Sequence, residues 1–255
     1  MNTQELLIEL KNIAKDAGDA IMHIYNDADL STVVDHKADD SPLTLADKAA
    51  DDVIKKGLES LAVKYPILSE EGKHIGYSER KSWDTFWLVD PLDGTKEFIK
   101  RNGQFTVNIA LIKEGYPLLG MIYVPATETY YYGSELGAYK VEGSKETQLK
   151  VNHKQANRIA VRSASHASPE EDTLLAKYDV TDNISKGSSL KFCMVAEGKA
   201  DIYYRHGPTM EWDTGAGQAV LEAAGGKVFK GDKEEERFNY NKENLLNGSF
   251  LCLGF

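Results

Sequence analysis

The sequence predicts an α+β half followed by an α/β half, closely packed on a shared core. Three features carry this reading. Apolar residues recur at helical spacing over the first 25 residues, strand-like runs separated by turn residues fill the stretch from Phe86 to Val141, and past residue 150 strands alternate with helices. The 255 residues, 42% of them hydrophobic and 27% charged, suffice for one large core or two packed halves. The boundary is drawn at 1–150 and 151–255 within one structural unit, since no low-complexity linker separates the halves.

Leu6, Leu7, Leu10, Ile13, Ala14, Ala17, Ile21 and Ile24 mark the first helix, and Asn2 with Glu5 forms a capping box at its start. Residues 27–43, rich in Asp, Ser and Lys, read as a loop and a candidate lid ahead of a second helix starting near Thr44. The run Phe86-Trp87-Leu88-Val89 reads as a buried strand that stops in a turn at Asp90-Pro91-Leu92-Asp93-Gly94-Thr95, followed by a short helix over 96–100. Phe105–Leu111, Leu118–Val124, Thr129–Tyr132 and Ala138–Val141 continue as an antiparallel meander. A strand at Arg158–Arg162 leads to a helix opened by Ser168-Pro169-Glu170-Glu171, where Ser caps and Glu completes a box. Further helices are expected at Ser188–Glu197 and Asp213–Ala224, with a strand at Asp201–Tyr204 between them.

Thirty Lys and Arg against forty Asp and Glu give a net charge of −10, which argues against a nucleic-acid polymer or an anionic membrane as partner. Cys193 and Cys252 sit in apolar company and read as buried thiols of a reducing compartment. Charged residues interrupt the N-terminal 25, so no secretory signal is read there, and no apolar run is long enough to span a bilayer. The expectation is a cytoplasmic protein, with peripheral attachment at the inner face of the cell membrane left open, as a monomer or homodimer.

Asp90 and Asp93 would mean little alone, because an Asp-Gly turn explains the spacing equally well. Their setting adds information. A hydrophobic strand delivers Asp90, Pro91 stiffens the chain, and Gly94-Thr95 open a helix whose free N–H groups favour an anion. Carboxylates beside an anion site imply a cation, and all-oxygen donors with no Cys or His cluster point to Mg²⁺.

Asp90-Pro91-Leu92-Asp93-Gly94-Thr95 together with Trp212-Asp213 resembles the inositol monophosphatase superfamily of Mg²⁺-dependent, lithium-sensitive phosphatases. Leu68-Ser69-Glu70-Glu71 and Ser41-Pro42-Leu43-Thr44-Leu45-Ala46-Asp47 occur in the order that family shows. The string from Trp87 to Ile99 and Gly187-Ser188-Ser189-Leu190-Lys191-Phe192 look most like its bacterial CysQ branch, the 3′(2′),5′-bisphosphate nucleotidases. The resemblance implies an αβαβα layered sandwich and two or three Mg²⁺ per site. Glu70, Asp90 and the Leu92 carbonyl would hold one ion, Asp90, Asp93 and Asp213 a second, and a weaker third would join near Glu70. Thr95 with Asp47 would orient and deprotonate the attacking water. Gly94 and Thr95 would meet the scissile phosphate, and His166, Ser188, Lys191 and Arg205 the second phosphate of a small nucleotide bisphosphate.

Each residue also has a plainer reading: Asp213 as a helix N-cap, Asp47 as a helix-surface acid, Glu71 as a solvated carboxylate, and the phosphate contacts as surface polar groups. Two positions depart from the family pattern. Gly215 stands where relatives usually carry Ala, which should weaken the helix start by up to about 1 kcal/mol. His206 replaces a commonly apolar residue before Gly207-Pro208. The expected activity is hydrolysis of adenosine 3′,5′-bisphosphate to AMP, with phosphoadenylyl sulfate as a second substrate. The alternatives are an inositol monophosphatase or fructose 1,6-bisphosphatase-type sugar phosphatase, and a non-catalytic nucleotide or Mg²⁺ sensor.

Overall fold

A computed structural model describes residues 1–26, 34–36, 42–163 and 169–255, with the side chains of 34–36 and 42–44 excepted. In chain order the elements are α1 (Thr3–Tyr25), β1 (Val34–His36), β2 (Pro42–Thr44), α2 (Leu45–Ser60), β3 (Ile67–Ser69), α3 (Tyr77–Arg80), β4 (Thr85–Asp93) and α4 (Thr95–Ile99). There follow β5 (Thr106–Lys113), β6 (Tyr116–Val124), β7 (Thr129–Ser134), β8 (Gly137–Glu142) and β9 (Lys145–Gln148). The remainder comprises β10 (Arg158–Arg162), α5 (Pro169–Lys177), β11 (Val180–Ser185), α6 (Leu190–Ala196), β12 (Ile202–Arg205), β13 (Thr209–Met210), α7 (Gly215–Ala223), β14 (Lys227–Lys230), β15 (Leu246–Asn247) and β16 (Phe250–Leu253).

Seven strands form one sheet in the order β3-β4-β5-β6-β7-β8-β9, antiparallel except for the parallel β3/β4 edge. A second sheet runs β11-β10-β12-β16-β14 and mixes parallel with antiparallel pairs. The strand period of two assigns each face. Trp87, Val89, Ile109, Leu111 and Met121 join α1 and α2 in one core, whereas Leu88, Ala110 and Ile122 face α6, α7 and the second sheet. In β16, Phe250 and Cys252 face inward, while Leu251 and Leu253 pack with Leu174 and Leu175 of α5. The layers are therefore α1/α2, large sheet, α6/α7, small sheet and α5. The central core draws residues from Leu68 to Cys252.

Asn2 and Glu5 form the expected reciprocal cap. The expected turn at Asp90 is instead strand: β4 continues to Asp93, with Asp90 opposite Asn108 and Asp93 opposite Thr106. The extra residue makes a bulge, which suits Pro91 because proline cannot donate to a ladder. Helix α4 is a five-residue piece, so its dipole contributes less to an anion site than a full helix would. The helix expected from Ser188 begins at Leu190 because Ser188 sits at φ 45, outside helical geometry. β9 and β11, with their polar Lys-Glu-Thr-Gln and Thr-Asp-Asn, escaped the hydrophobic reading, as did the short β3 and the C-terminal β14 and β16. Of the proposed lid, β1 and β2 pair antiparallel, and 27–33 and 37–41 lie outside the described residues. Ser168, the expected cap of α5, lies outside them too.

Helix α7 lies unusually close to the large sheet. Gly120 and Gly133 are register partners on β6 and β7, and a Cβ at Gly120 would stand 2.7 Å from the Ala216 carbonyl oxygen. One at Gly133 would stand 2.5 Å from the Ala219 oxygen. Gly215 obeys the same constraint: its Cβ would meet Leu88 Cδ2 at 2.9 Å, so glycine here gains fit where it loses helix propensity. Gly133→Ala is expected to destabilise the protein by about 1–3 kcal/mol through overpacking, visible as a lower urea midpoint with unchanged slope. A wild-type midpoint would contradict this account of the α7–sheet contact.

Candidate active site

The site lies where the bulged end of β4 meets the chain ahead of α7. Glu70 follows β3 directly, and its N–H donates to the Val89 carbonyl at 3.1 Å, which sets it beside Asp90. Ser69 donates at 2.6 Å to Asp51 of α2, tying the same corner to the helix layer. Asp90 is 1% exposed, and its Oδ1 accepts from the Leu92 N–H at 3.1 Å, fixing the carboxylate across the bulge. Asp213 ends a 3₁₀ turn at Glu211–Asp213, and its Oδ2 accepts from the Met210 N–H at 2.8 Å. The N-cap of α7 is Thr214, so the N-cap reading of Asp213 falls away.

Glu70, Asp90 and Asp213 each offer a carboxylate oxygen within 4.8 Å of the others. Burial pushes the Asp90 carboxyl well above its ordinary range, and the charges of Glu70, Asp93, Asp213 and Asp47 push it the same way. Burial and then Asp93 do the same to Asp213. Asp47 is 5% exposed, which removes its helix-surface reading and puts its charge within reach of Asp90. Such crowding of like charges around the buried Asp90 costs free energy unless a cation joins them. An all-oxygen donor set fits a hard divalent ion of the Mg²⁺ type. Asp93 stands apart from the trio with Oδ2 taken by the Ser189 N–H at 2.5 Å and the Ser189 hydroxyl at 2.7 Å.

Beside the carboxylates opens a pocket of about 170 Å³, lined by Asp93, Gly94, Ser188, Lys191, Arg205 and Asp213 among others. Lys191 is 8% exposed, donates to the Ser188 carbonyl at 2.6 Å, and is held below the usual lysine range by burial. Ser188 Oγ and Arg205 Nε are buried with no hydrogen-bond partner among the described residues. His166 lies outside the described residues. Thr95 is half-buried at the start of α4 and Glu71 is half-buried after Glu70. His206 is exposed and turned toward the Tyr204 hydroxyl at 3.4 Å, leaving Pro208 and Thr209 to line the pocket.

Sequence reasoning missed the framework behind Asp213. Glu211 is fully buried and accepts from the N–H groups of Asn241 and Lys242 and from the Lys242 ammonium at 2.7 Å. Lys242 also donates to Asn247 Oδ1, and Asn247 Nδ2 donates to the Met210 carbonyl. Arg80 holds Asn241 and the carbonyls of Lys242 and Glu243. Glu211 adjoins the Trp212-Asp213 motif, and its charge between Met210 and Trp212 was the available signal.

The raised Asp90 carboxyl fixes the sign of a pH effect. A carboxyl whose folded pKa exceeds its unfolded value destabilises the fold above both, and the penalty fades as pH falls through the folded value toward 3.8. In EDTA, Asp90→Asn is therefore expected to melt higher than wild type at neutral pH, with the gap closing as pH falls. Mg²⁺ should raise the wild-type melting temperature more than the variant's. A variant that melts lower in EDTA would refute the crowding argument.

The inositol monophosphatase family model matches residues 2–251. The 3′(2′),5′-bisphosphate nucleotidase CysQ of Escherichia coli strain K12 is 46% identical over 246 residues, covering 96% of this chain and 98% of that protein. The Haemophilus influenzae protein of the same name is 34% identical over 256 residues, covering 98% and 93%. The crystal structure of CysQ from Bacteroides thetaiotaomicron, a bacterial member of the inositol monophosphatase family, superposes with a TM-score of 0.86 at 44% identity, covering 98% of this chain and 97% of that one. With its layered fold, its oxygen cluster and near full-length similarity in agreement, this chain belongs to the inositol monophosphatase family.

Proposed function

We propose that this chain is a Mg²⁺-dependent 3′(2′),5′-bisphosphate nucleotidase that hydrolyses the 3′-phosphate of adenosine 3′,5′-bisphosphate to give AMP, with phosphoadenylyl sulfate as a second substrate. Enzymes of the inositol monophosphatase family are metal-dependent, generally on Mg²⁺. The observation that carries the substrate reading is the pocket wall. Ser188 Oγ and Arg205 Nε are buried donors without partners among the described residues, and Lys191 lies beside them. Buried donors of this kind call for an anionic acceptor, and Asp93 and Asp213 in the same lining, beside the carboxylate cluster, call for a cation. A ligand with two phosphates, one of them cation-bridged, satisfies both.

Glu70, Asp90 and the Leu92 carbonyl are assigned to one cation, Asp90, Asp93 and Asp213 to a second, and a third, weaker ion to the neighbourhood of Glu70. When bound, the metal supplies charge neutralisation and polarisation of the ester phosphate. The chain's own residues supply the rest. The Thr95 hydroxyl aims the attacking water and passes its proton to Asp47, a carboxylate held inside the protein at the first turn of α2. Gly94 and Thr95 meet the scissile phosphate. Ser188, Lys191, Arg205 and His166 hold the other phosphate and so register the nucleotide against the water. The cytoplasm is the compartment assigned, in keeping with two free, buried cysteines.

Released phosphate measured against adenosine 3′,5′-bisphosphate, inositol 1-phosphate and fructose 1,6-bisphosphate tests the assignment. Preference for the nucleotide is expected, and preference for either sugar ester overturns it. Lys191→Ala should lower kcat/KM on the nucleotide about tenfold to a hundredfold, the worth of a charge-assisted hydrogen bond, and leave inositol 1-phosphate turnover nearly unchanged. Asp93→Asn should cut turnover by about a hundredfold or more while far-UV circular dichroism keeps its wild-type form. Near-wild-type turnover in that variant would contradict its place among the metal ligands.

A further inference from the structure

The orientation of Asp93 is set by a dedicated set of donors from other parts of the fold. Ser189, 1% exposed, meets Asp93 Oδ2 twice, through its N–H at 2.5 Å and its hydroxyl at 2.7 Å. Asn108, also 1% exposed, donates from Nδ2 to Ser189 Oγ at 2.8 Å and approaches Asp93 Oδ2 at 3.4 Å. A serine hydroxyl has one proton, and because Asn108 supplies a donor to that oxygen, the proton is directed onto Asp93. The Asp213 carbonyl, 3.1 Å from Ser189 Oγ, is the longer alternative acceptor and keeps the hydroxyl beside both carboxylate-bearing segments.

The consequence is geometric. Oδ2 of Asp93 is occupied by protein donors, so Oδ1 is the oxygen left for a cation. Asn108 sits opposite Asp90 in the β4/β5 ladder, so one amide relates the Asp90 and Asp93 positions across the bulge. We propose that Ser189 and Asn108 are positioning residues that hold Asp93 in its ligating orientation and fix its separation from Asp213. This deepens the metal-centre reading given above and rests on it, but not on the identity of the substrate.

The test uses Mn²⁺ as a paramagnetic probe, with free and bound ion counted by electron paramagnetic resonance on the full chain, alongside Mg²⁺ half-saturation of phosphate release. Wild type should bind Mn²⁺, and Ser189→Ala should bind it about 10–100-fold more weakly, the usual effect of removing a partner behind a metal ligand. Mg²⁺ half-saturation should rise in parallel, with KM for the nucleotide at saturating Mg²⁺ little changed. Ser189→Thr, which keeps the hydroxyl, should recover most of the affinity. Asn108→Ala leaves the Ser189 N–H contact intact and should give the same shift to a smaller extent, which serves should Ser189→Ala fail to fold. Wild-type Mn²⁺ affinity in folded Ser189→Ala and Asn108→Ala overturns the proposal. So does a wild type that binds no Mn²⁺, and the metal-centre reading falls with it. If wild type binds Mn²⁺ but hydrolyses no nucleotide bisphosphate, the substrate reading fails, while weakened Mn²⁺ binding in Ser189→Ala still upholds the positioning role.

Discussion

Mutual repulsion among carboxylates gathered around the buried Asp90 is the constraint around which this molecule is organised. Glu70, Asp93, Asp213 and Asp47 all act on Asp90, and Asp93 and Glu70 on Asp213, at two carboxyls where desolvation already disfavours charge. Left to relax, such groups would protonate or move apart. They stay together because each is attached to something that cannot yield: a strand end, a bulge, a 3₁₀ turn or the first turn of a helix. The resulting deficit of positive charge is what makes the site receptive to divalent ions.

The layered architecture explains how such attachment is achieved. The bulged β4 lies inside the seven-stranded sheet, with α2 on one face and α7 on the other. Asp213 depends on the close seating of α7, which requires the glycine pair at 120 and 133 and the small residues at 215 and 216. The polar framework of Glu211, Lys242, Asn247 and Arg80 secures the same turn from behind. The site is thus supported from both sides by packing that has no chemical role of its own.

Much of this was legible in the sequence, and the parts that were not have physical reasons. The amphipathic first helix and the central strands were readable because periodicity is a local signal, and the candidate carboxylates because their motifs match the family in order. Strands β9 and β11 were missed because edge strands need few apolar residues. The Asp90–Asp93 stretch was read as a turn because proline and glycine punctuate it, whereas the ladder absorbs Pro91 as a bulge. Ser188, Lys191 and Arg205 came through the family resemblance and do line one pocket. Asn108 and Lys242 carried no local signal, because Ser189 and Glu211, which they serve, lie 81 and 31 positions away along the chain, whereas Glu211 offered only its charge beside Trp212-Asp213 and Ser189 only its place in the Gly187–Phe192 string.

The small sheet is tied to the acidic pocket through one of its inner strands. Its strand at Phe250–Leu253 is an interior one, flanked by Ile202–Arg205 on one side and Lys227–Lys230 on the other. The segment that braces Glu211 directly precedes it. The turn that carries Asp213 is therefore braced by residues leading straight into the strand that closes the small sheet, so disorder in that strand would be felt at the acidic pocket.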